Sequence, residues 1–271
     1  MRRGPKSGDG VGFVSEGIGR LAGLTAIVTG ATSPIGAGAA SELARQGARV
    51  VLADRCAETL RARALELAES GGTVLAVTTE LSDGAQTADL VERAHGAFGW
   101  VDVLVNAAGG EASELPTDTP AEQIAQTTRG DLVGTMRLTR LVLPEMLQRR
   151  HGAIVSVASL QARVGNDSVA SATAFGIRGF TLALRRQVTG SGIGVSLLTA
   201  GTASPPRVGR IIADLVIRPR REVVVPSSLR AIAWLDEVLP GVAAIAFRGA
   251  HRRPRRGSAQ GWEIQGVGAP E

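Results

Sequence analysis

The chain contains no tyrosine, a single lysine, Lys6, and a single cysteine, Cys56. One cysteine excludes an internal disulfide and favours a reducing compartment. Only three Trp and five Phe are present, so the chain lacks an aromatic platform on which single-stranded bases could stack. We therefore expect no nucleic-acid partner, and we expect no metal site.

Long apolar runs are also absent. No stretch approaches the roughly 18 apolar residues that a membrane span requires. Residues 1–20 do not contain the apolar run of a signal peptide. We expect a cytoplasmic protein without an integral membrane segment.

The composition that remains suits a folded domain with an uneven charge. The 271 residues are 44% hydrophobic and include 35 Gly, which fits one α/β domain with many tight turns. Residues 205–256 hold eleven Arg against four acidic residues. We expect a flexible arm over 1–20, one domain over 21–247 and a solvated basic tail over 248–271. The alternative for the tail is contact with nucleic acid or acidic lipid.

Short segments rich in Val, Ile and Leu alternate with segments of helical periodicity. Strands are predicted at 24–30, 48–55, 73–80, 101–110, 153–159, 192–201 and 221–226, and helices at 35–47, 57–72, about 122–149 and about 170–188. Strands of this kind are buried on both faces of a parallel sheet. The pattern predicts an α/β fold, a single Rossmann-like domain with a doubly wound parallel sheet.

The first strand–helix connection, TGATSPIG (29–36), has the features of a phosphate site. Gly30 permits a tight turn, Ser33 is a good N-cap, and Pro34 suits the first helical position. The helix then offers its free amides to a pyrophosphate, and Gly36 allows close backbone approach. We expect cofactor contacts at Thr29, Gly30, Ser33, Ile35 and Gly36.

Asp54 ends the second predicted strand, 24 residues after Gly30. An acidic group there can accept both ribose hydroxyls and would repel a 2′-phosphate. The neighbouring Arg55, also a candidate contact, has the opposite effect, and Asp54 has an alternative role as a turn or capping residue. The position predicts NAD as the cofactor in preference to NADP.

Over roughly residues 21–226 the chain resembles the short-chain dehydrogenase/reductase family. The turn is similar to the family's Thr-Gly-x-x-x-Gly-x-Gly, with Pro34 in place of the middle glycine. VNAAG (105–109) resembles the family's Asn-Asn-Ala-Gly, with Ala107 in place of one Asn. The resemblance implies further cofactor contacts at Glu80, where the family has an Asp beside the adenine, and at Leu81, Asn106, Ala108 and Gly109.

The same resemblance implies where catalytic residues belong. IVSVAS (154–159) resembles the strand that delivers the catalytic serine, here Ser159. GDLVGT (130–135) places Asp131 where the family has a catalytic Asn. GFTLAL (179–184) resembles the end of the helix that carries Tyr-x-x-x-Lys, and the family's substrate loop corresponds to 202–210.

The family's Tyr and Lys are missing. Counting back from the end of that helix places Ala170 at the Tyr position and Ala174 at the Lys position. Lengthening the gap after Ser159 by two residues, to the family's usual spacing, moves these positions to Ala172 and Gly176. In the family the Tyr donates a proton, and the Lys assists it and holds the nicotinamide ribose. A positioned general acid contributes about 10²–10⁴ in rate, so we expect impaired hydride transfer.

Three hypotheses follow. The first is a pseudoenzyme that binds dinucleotide, and the family's subunit pairing implies a homo-oligomer or a complex with a related subunit. The second is an active NAD(P)-dependent oxidoreductase of unknown small-molecule substrate that uses Ser159 and a non-standard acid. The third is a non-enzymatic surface- or partner-binding protein that uses the Arg-rich C-terminal region. Cofactor binding separates the first two from the third, and turnover separates the first from the second.

Overall fold

Strands and helices alternate along the whole described chain. The structure, a computed structural model, describes residues 19–107, 109, 120–163, 168–201 and 203–227. Within these residues the strands are β1 (Thr25–Thr29), β2 (Arg49–Asp54), β3 (Thr73–Thr78), β4 (Val103–Asn106), β5 (Gly152–Ser159), β6 (Ile193–Ala200) and β7 (Glu222–Val225). The α-helices are α1 (Pro34–Arg45), α2 (Ala57–Glu69), α3 (Gly84–Phe98), α4 (Ala121–Thr127), α5 (Gly134–Arg149), α6 (Ser168–Gln187) and α7 (Pro205–Ile217).

The seven strands form one sheet in the order β3-β2-β1-β4-β5-β6-β7, and every pairing is parallel. Successive residues of a strand face opposite sides. In β1, Val28 packs with Leu43 and Ile212 on one side, whereas Ile27 packs with Leu90 and Leu138 on the other. Both faces are covered by helices, so the predicted doubly wound α/β fold is confirmed.

Helix α3 was not among the predicted elements, although its start is well marked. The Asp83 carboxylate accepts hydrogen bonds from the amides of Ala85 and Gln86 at 2.8 and 3.3 Å. Leu90 and Ala94 then bury one face of the helix against the sheet. The helix ends at Gly99, whose φ of 79° is favourable for glycine.

Helix α7 corrects the predicted substrate loop at 202–210. Two prolines begin this helix, where their missing amides cost no hydrogen bond. Val208 and Ile212 are buried in the core. The helix crosses α1 so closely that a Cβ on Gly38 would lie 2.3 Å from the Pro205 carbonyl oxygen. Of the described residues in the predicted loop, Ala203 and Ser204 precede the helix.

The predicted helix at 122–149 is divided. A π-helical turn, Thr128–Val133, joins α4 to α5 and carries Asp131. Such π turns are rare and frequently occur at functional sites.

Two predicted terminal segments lie outside the described residues: the arm at 1–20, apart from its last two residues, and the tail at 248–271. In the part of the chain that is described, none of the helices has the length and apolar character needed to cross a membrane.

Candidate functional site

A cavity of about 1190 Å³ lies at the carboxyl ends of the central strands. From β1 the chain adds strands β2 and β3 on one side of the sheet, and from β4 it adds β5 to β7 on the other side. Ligands of doubly wound folds bind in the crevice at this switch point between β1 and β4. Predicted site residues that line the cavity are Gly30, Ser33, Ile35, Asp54, Arg55, Glu80, Leu81, Gly109, Asp131, Ser159, Ala170 and Ala174. The structure therefore brings together residues that are distant in the sequence.

Three predicted contact residues lie behind the cavity wall instead. The Thr29 side chain is fully buried, and its hydroxyl accepts a hydrogen bond from the Ala107 amide at 3.2 Å. A Cβ on Gly36 would lie 2.1 Å from the Gly30 carbonyl oxygen, so the close approach at Gly36 is to the turn itself. Asn106 is 2% exposed. These three residues lie behind the residues that line the cavity, and Ala108 lies outside the described residues.

The turn between β1 and α1 presents a helix N-terminus to the cavity. Gly30 has a φ of 61°, which turns the chain after β1. The Gly36 amide donates to the Ser33 hydroxyl at 3.0 Å, and Pro34 occupies the first helical turn. Because Pro34 has no amide hydrogen and the Gly36 amide is used by the cap, this turn offers an anionic group the Ile35 amide and the helix dipole.

Asp54 is held by the same turn. One carboxylate oxygen accepts from the Thr32 amide at 3.0 Å and from the Thr32 hydroxyl at 2.7 Å, and the other accepts from the Arg55 amide at 2.7 Å. Thr32 lines the cavity and was not predicted, because a single Thr in a turn has no distinguishing pattern. A carboxylate has about four acceptor positions, so Asp54 retains capacity for a ligand hydroxyl.

Glu80 completes what we call the adenosine end of the cavity, after the part of the cofactor that the sequence predicts there; this end comprises Thr32, Ser33, Asp54 and Glu80. Glu80 accepts from the Ser82 amide at 3.0 Å, which fixes its carboxylate beside the cavity. Cys56, another lining residue that was not predicted, lies 3.1 Å from the Thr59 hydroxyl. Hydrogen bonds with Thr59 lower the pKa of this exposed thiol.

A second group of lining residues defines what we call the reaction end, after the catalytic positions that the family resemblance implies: Gly109, Asp131, Ser159, Ala170 and Ala174. Ser159 ends β5 and precedes a short 3-10 turn. Ala170 and Ala174 are 6% and 5% exposed, and both line the cavity on one face of α6. Asp131 lies beside Gly109: a Cβ added to Gly109 would lie 2.8 Å from the Oδ2 atom of Asp131.

Few groups at the reaction end can donate a proton. Thr173 also lines the cavity, but its hydroxyl donates to backbone carbonyl oxygens of its own helix, at Val169 and Ala170. Ser159 can donate a hydrogen bond to a ligand oxygen, and Asp131 supplies a carboxylate. No cluster of His, Cys, Asp or Glu within the described ranges could hold a metal ion.

A half-buried ion cluster joins the segments that form the reaction end. Glu222 accepts from Arg163 at 2.5 and 2.9 Å and from the Thr199 hydroxyl at 2.9 Å, and Arg178 lies 3.5 Å away. Burial acts to raise the pKa of Glu222, but Arg163, Thr199 and Arg178 together lower it below its usual value. Arg163 follows Ser159 in the chain, and Arg178 lies one turn beyond Ala174. Glu222 therefore ties together the two segments that form the reaction end.

The chain is similar in sequence to known dehydrogenases and reductases. A family model described as short chain dehydrogenase matches residues 24–214. Ketoacyl reductase HetN of Nostoc sp. is 33% identical over 202 residues, which cover 74% of this chain and 70% of that protein. Cis-4-hydroxycyclohexanecarboxylate dehydrogenase of Sinomonas cyclohexanicum is 33% identical over 224 residues, covering 82% and 88% of the two chains.

Solved structures agree with this assignment. A metagenomic short-chain oxidoreductase in complex with NADP is 28% identical, with a TM-score of 0.70, and the match covers 75% of this chain and 97% of that one. An actinorhodin polyketide ketoreductase with NADPH is 27% identical, with a TM-score of 0.72, over 76% of this chain and 97% of that one.

Proposed function

Because the chain belongs to the short-chain dehydrogenase/reductase family, an oxidoreductase family with a nicotinamide-dinucleotide-binding fold, we propose that it binds NAD(H) in the cavity but transfers hydride poorly. One observation carries the second part of this proposal. The chain contains no tyrosine, and the two positions of α6 where the family resemblance places Tyr and Lys are the buried Ala170 and Ala174.

The residues at the adenosine end fit the proposed ligand. The capped N-terminus of α1 would bind the pyrophosphate, and Asp54 would accept from a ribose hydroxyl. When bound, the dinucleotide supplies or accepts the hydride. Asp54 would repel a 2′-phosphate, and the turn 29–36 contains no basic residue. We therefore favour NAD over NADP, although the positive charge of Arg55 would attract a 2′-phosphate.

The reaction end explains the proposed loss of activity. A carbonyl that accepts hydride becomes an oxyanion and must be protonated. Ser159 can stabilise that oxygen, but a serine hydroxyl is a poor acid, and the methyl groups of Ala170 and Ala174 supply neither a proton nor a charge. A positioned acid contributes about 10²–10⁴ in rate and one oxyanion stabiliser about 10²–10³. Although these factors are not additive, most of the acceleration should be lost.

The test is a titration with NAD, NADH, NADP and NADPH, followed by a panel of carbonyl and alcohol substrates. We expect saturable binding of NAD and NADH, weaker binding of the phosphorylated pair, and turnover close to background. Equal affinity for both pairs would contradict the preference for NAD. Robust turnover that Ser159→Ala abolishes would contradict the impaired reading.

A second candidate is an active oxidoreductase with a non-standard acid. Two observations favour it: Asp131 and Ser159 line the same end of the cavity, and the relatives above are named as a reductase and a dehydrogenase. In this case Asp131→Asn and Ser159→Ala would each remove turnover of a small-molecule substrate.

The third hypothesis depends on the Arg-rich C-terminal region, of which residues 228–271 lie outside the described residues. Failure to bind any dinucleotide would favour it.

We also propose that two copies of the chain pair through α5 and α6. Four large apolar side chains on or beside these helices are between 36% and 44% exposed, namely Val133, Met136, Leu147 and Phe175. A second copy of the chain, or a related subunit, would cover them. Light scattering should report a dimer or larger assembly that Met136→Glu weakens.

The exposed Cys56, which forms no disulfide, is consistent with the proposed cytoplasmic location.

A further inference from the structure

Four buried polar side chains between the sheet and α5 have no hydrogen-bond partner among the residues that the structure describes. They belong to Asn106 at the end of β4, Ser156 in β5, and Thr135 and Thr139 in α5. Each of these residues is between 1% and 2% exposed. Both polar atoms of the Asn106 amide and all three hydroxyls are affected. Buried polar groups in native proteins are nearly always paired, so this set requires a partner.

The two strand residues face α5. Asn106 and Ser156 are register partners in the parallel pair of β4 and β5, so their side chains are neighbours on one face of the sheet. Leu104 and Ile154, two residues before them, belong to the apolar cluster that also contains Leu138 of α5. Because alternate residues of a strand share a face, Asn106 and Ser156 point toward the same helix.

The two helix residues lie at the level of Ser156. Helix α5 belongs to the crossover between two parallel strands and therefore runs antiparallel to β5. Its C-terminal part is fixed at Gly152, where an added Cβ would lie 2.7 Å from the Met146 side chain. Ser156 lies about 13 Å further along β5, at roughly 3.3 Å per residue. The same distance spans about nine residues of α5, which reaches the turn between Thr135 and Thr139 on its buried face.

The chemistry of the four groups selects their partner. Each hydroxyl can donate and accept, and the Asn106 amide requires an acceptor for its nitrogen and a donor for its oxygen. A cation would leave the Asn106 nitrogen unpaired, and an anion would leave its oxygen unpaired. None of the four side chains carries a charge that would offset the burial of an ion. Water both donates and accepts, and a buried water typically makes about three hydrogen bonds.

We propose that these four side chains bind internal water between α5 and the strands β4 and β5. The water site adjoins the cavity, because Ala107 and Val157, which directly follow Asn106 and Ser156, are lining residues. It joins these two strands to the start of α5, which follows the π-helical turn. The inference does not depend on a dinucleotide, so its failure would leave the proposed function intact.

The experiment combines a high-resolution crystal structure of the full chain with unfolding measurements on two matched variants. We expect a water molecule within hydrogen-bond distance of at least two of the four side chains. Thr139→Val keeps the shape of the side chain but removes the hydroxyl, so it should lower the equilibrium constant for folding about 3- to 10-fold. Thr139→Ser keeps the hydroxyl, so its crystal structure should retain the water. Thr139→Val and Ser156→Ala should be non-additive, because both remove partners of shared water.

Three results would each overturn the inference. The first is a structure in which the four side chains bond directly to one another with no water between them. The second is an ordered ion in place of water. The third is an unchanged or increased equilibrium constant for folding in Thr139→Val, because replacing an unpaired hydroxyl by a methyl group of the same shape carries no loss.

Discussion

The adenosine end and the reaction end of the cavity lie on one sheet but differ in how their side chains are used. At the adenosine end, Ser33, Asp54 and Glu80 are all held by backbone amides, so polar groups are fixed before a ligand arrives. At the reaction end, two of the defining side chains are methyl groups, at Ala170 and Ala174. Under the proposed function, this difference separates binding at the adenosine end from catalysis at the reaction end.

The largest effect should come from restoring an acid and a cation to the reaction end. Ala170→Tyr combined with Ala174→Lys should raise NADH oxidation over a carbonyl panel by about 10²-fold, the lower end for a positioned acid. The two positions lie four residues apart on one face and already line the cavity with Ser159. The gain in turnover is limited because Asp131 stands in place of the family's Asn and because the segment from Ser159 to Ala170 is two residues shorter than the family's usual spacing.

The matched control for this rebuilt site is Ala170→Phe combined with Ala174→Met. This pair fills similar volume without an acid or a charge, so its turnover should stay at background. Equal activity of the two double variants would show that packing alone, and not proton donation, limits the reaction end. Both variants should unfold about 1–3 kcal/mol more easily than the original chain, because they enlarge buried positions.

The next effect breaks the adenosine end. Gly36→Ala should weaken NAD binding by at least about tenfold and lower the free energy of unfolding by about 2–3 kcal/mol, because the added Cβ would meet the Gly30 carbonyl oxygen at 2.1 Å. Gly96→Ala is the control, since a Cβ on Gly96 meets nothing within 4 Å. It should stabilise α3 by up to about 1 kcal/mol. Denaturant unfolding and calorimetry measure both, and equal behaviour of the two variants would contradict this account of the turn.

A third prediction concerns the ion cluster behind the reaction end. Glu222→Gln should lower the free energy of unfolding by about 2 kcal/mol at neutral pH, because Arg163 and Arg178 would lose a half-buried carboxylate. Glu66→Gln is the control. Its ion pair with Arg63 is exposed and should contribute less than about 0.5 kcal/mol.

The pH dependence of this effect has a definite sign. The pKa of Glu222 is lower in the folded protein than its usual value. The carboxylate therefore stabilises the fold at pH values above its usual pKa, and this contribution is lost as the pH falls through the folded pKa. The difference between the original chain and Glu222→Gln should shrink on acidification. A difference that is constant between neutral and acid pH would contradict the assignment.

The sequence predicts the fold well because hydrophobic periodicity is a local signal. All seven strands lie where short runs rich in Val, Ile and Leu predict them, and the turn capped by Ser33 lies where its turn residues predict it. Helix α7 was missed because Pro205 and Pro206 also suit a loop, and only packing against α1 selects the helix. Helix α3 was missed even though Asp83 provides a clear N-cap.

The site was harder to predict because a motif does not reveal which of its residues face the ligand. Thr29 and Asn106 belong to the motifs that resemble the family's, yet neither lines the cavity. The Thr29 hydroxyl accepts a hydrogen bond from the Ala107 amide, and Asn106 is buried. The link between Thr32 and Asp54 depends on the fold bringing the end of β2 beside the first turn. Such contacts are tertiary, and no local pattern encodes them.

The smallest effect separates the two roles of Asp54. Asp54→Ala removes both the charge that opposes a 2′-phosphate and the acceptor that holds Thr32, so the preference for NAD over NADP should narrow by roughly fivefold. Thr32→Val removes only the hydroxyl donor and leaves the charge in place. It should weaken NAD and NADP by the same modest factor and leave their ratio unchanged. Parallel titrations of the two variants decide the matter: if Thr32→Val narrows the ratio as much as Asp54→Ala does, cofactor choice depends on the shape of the turn and not on the carboxylate charge.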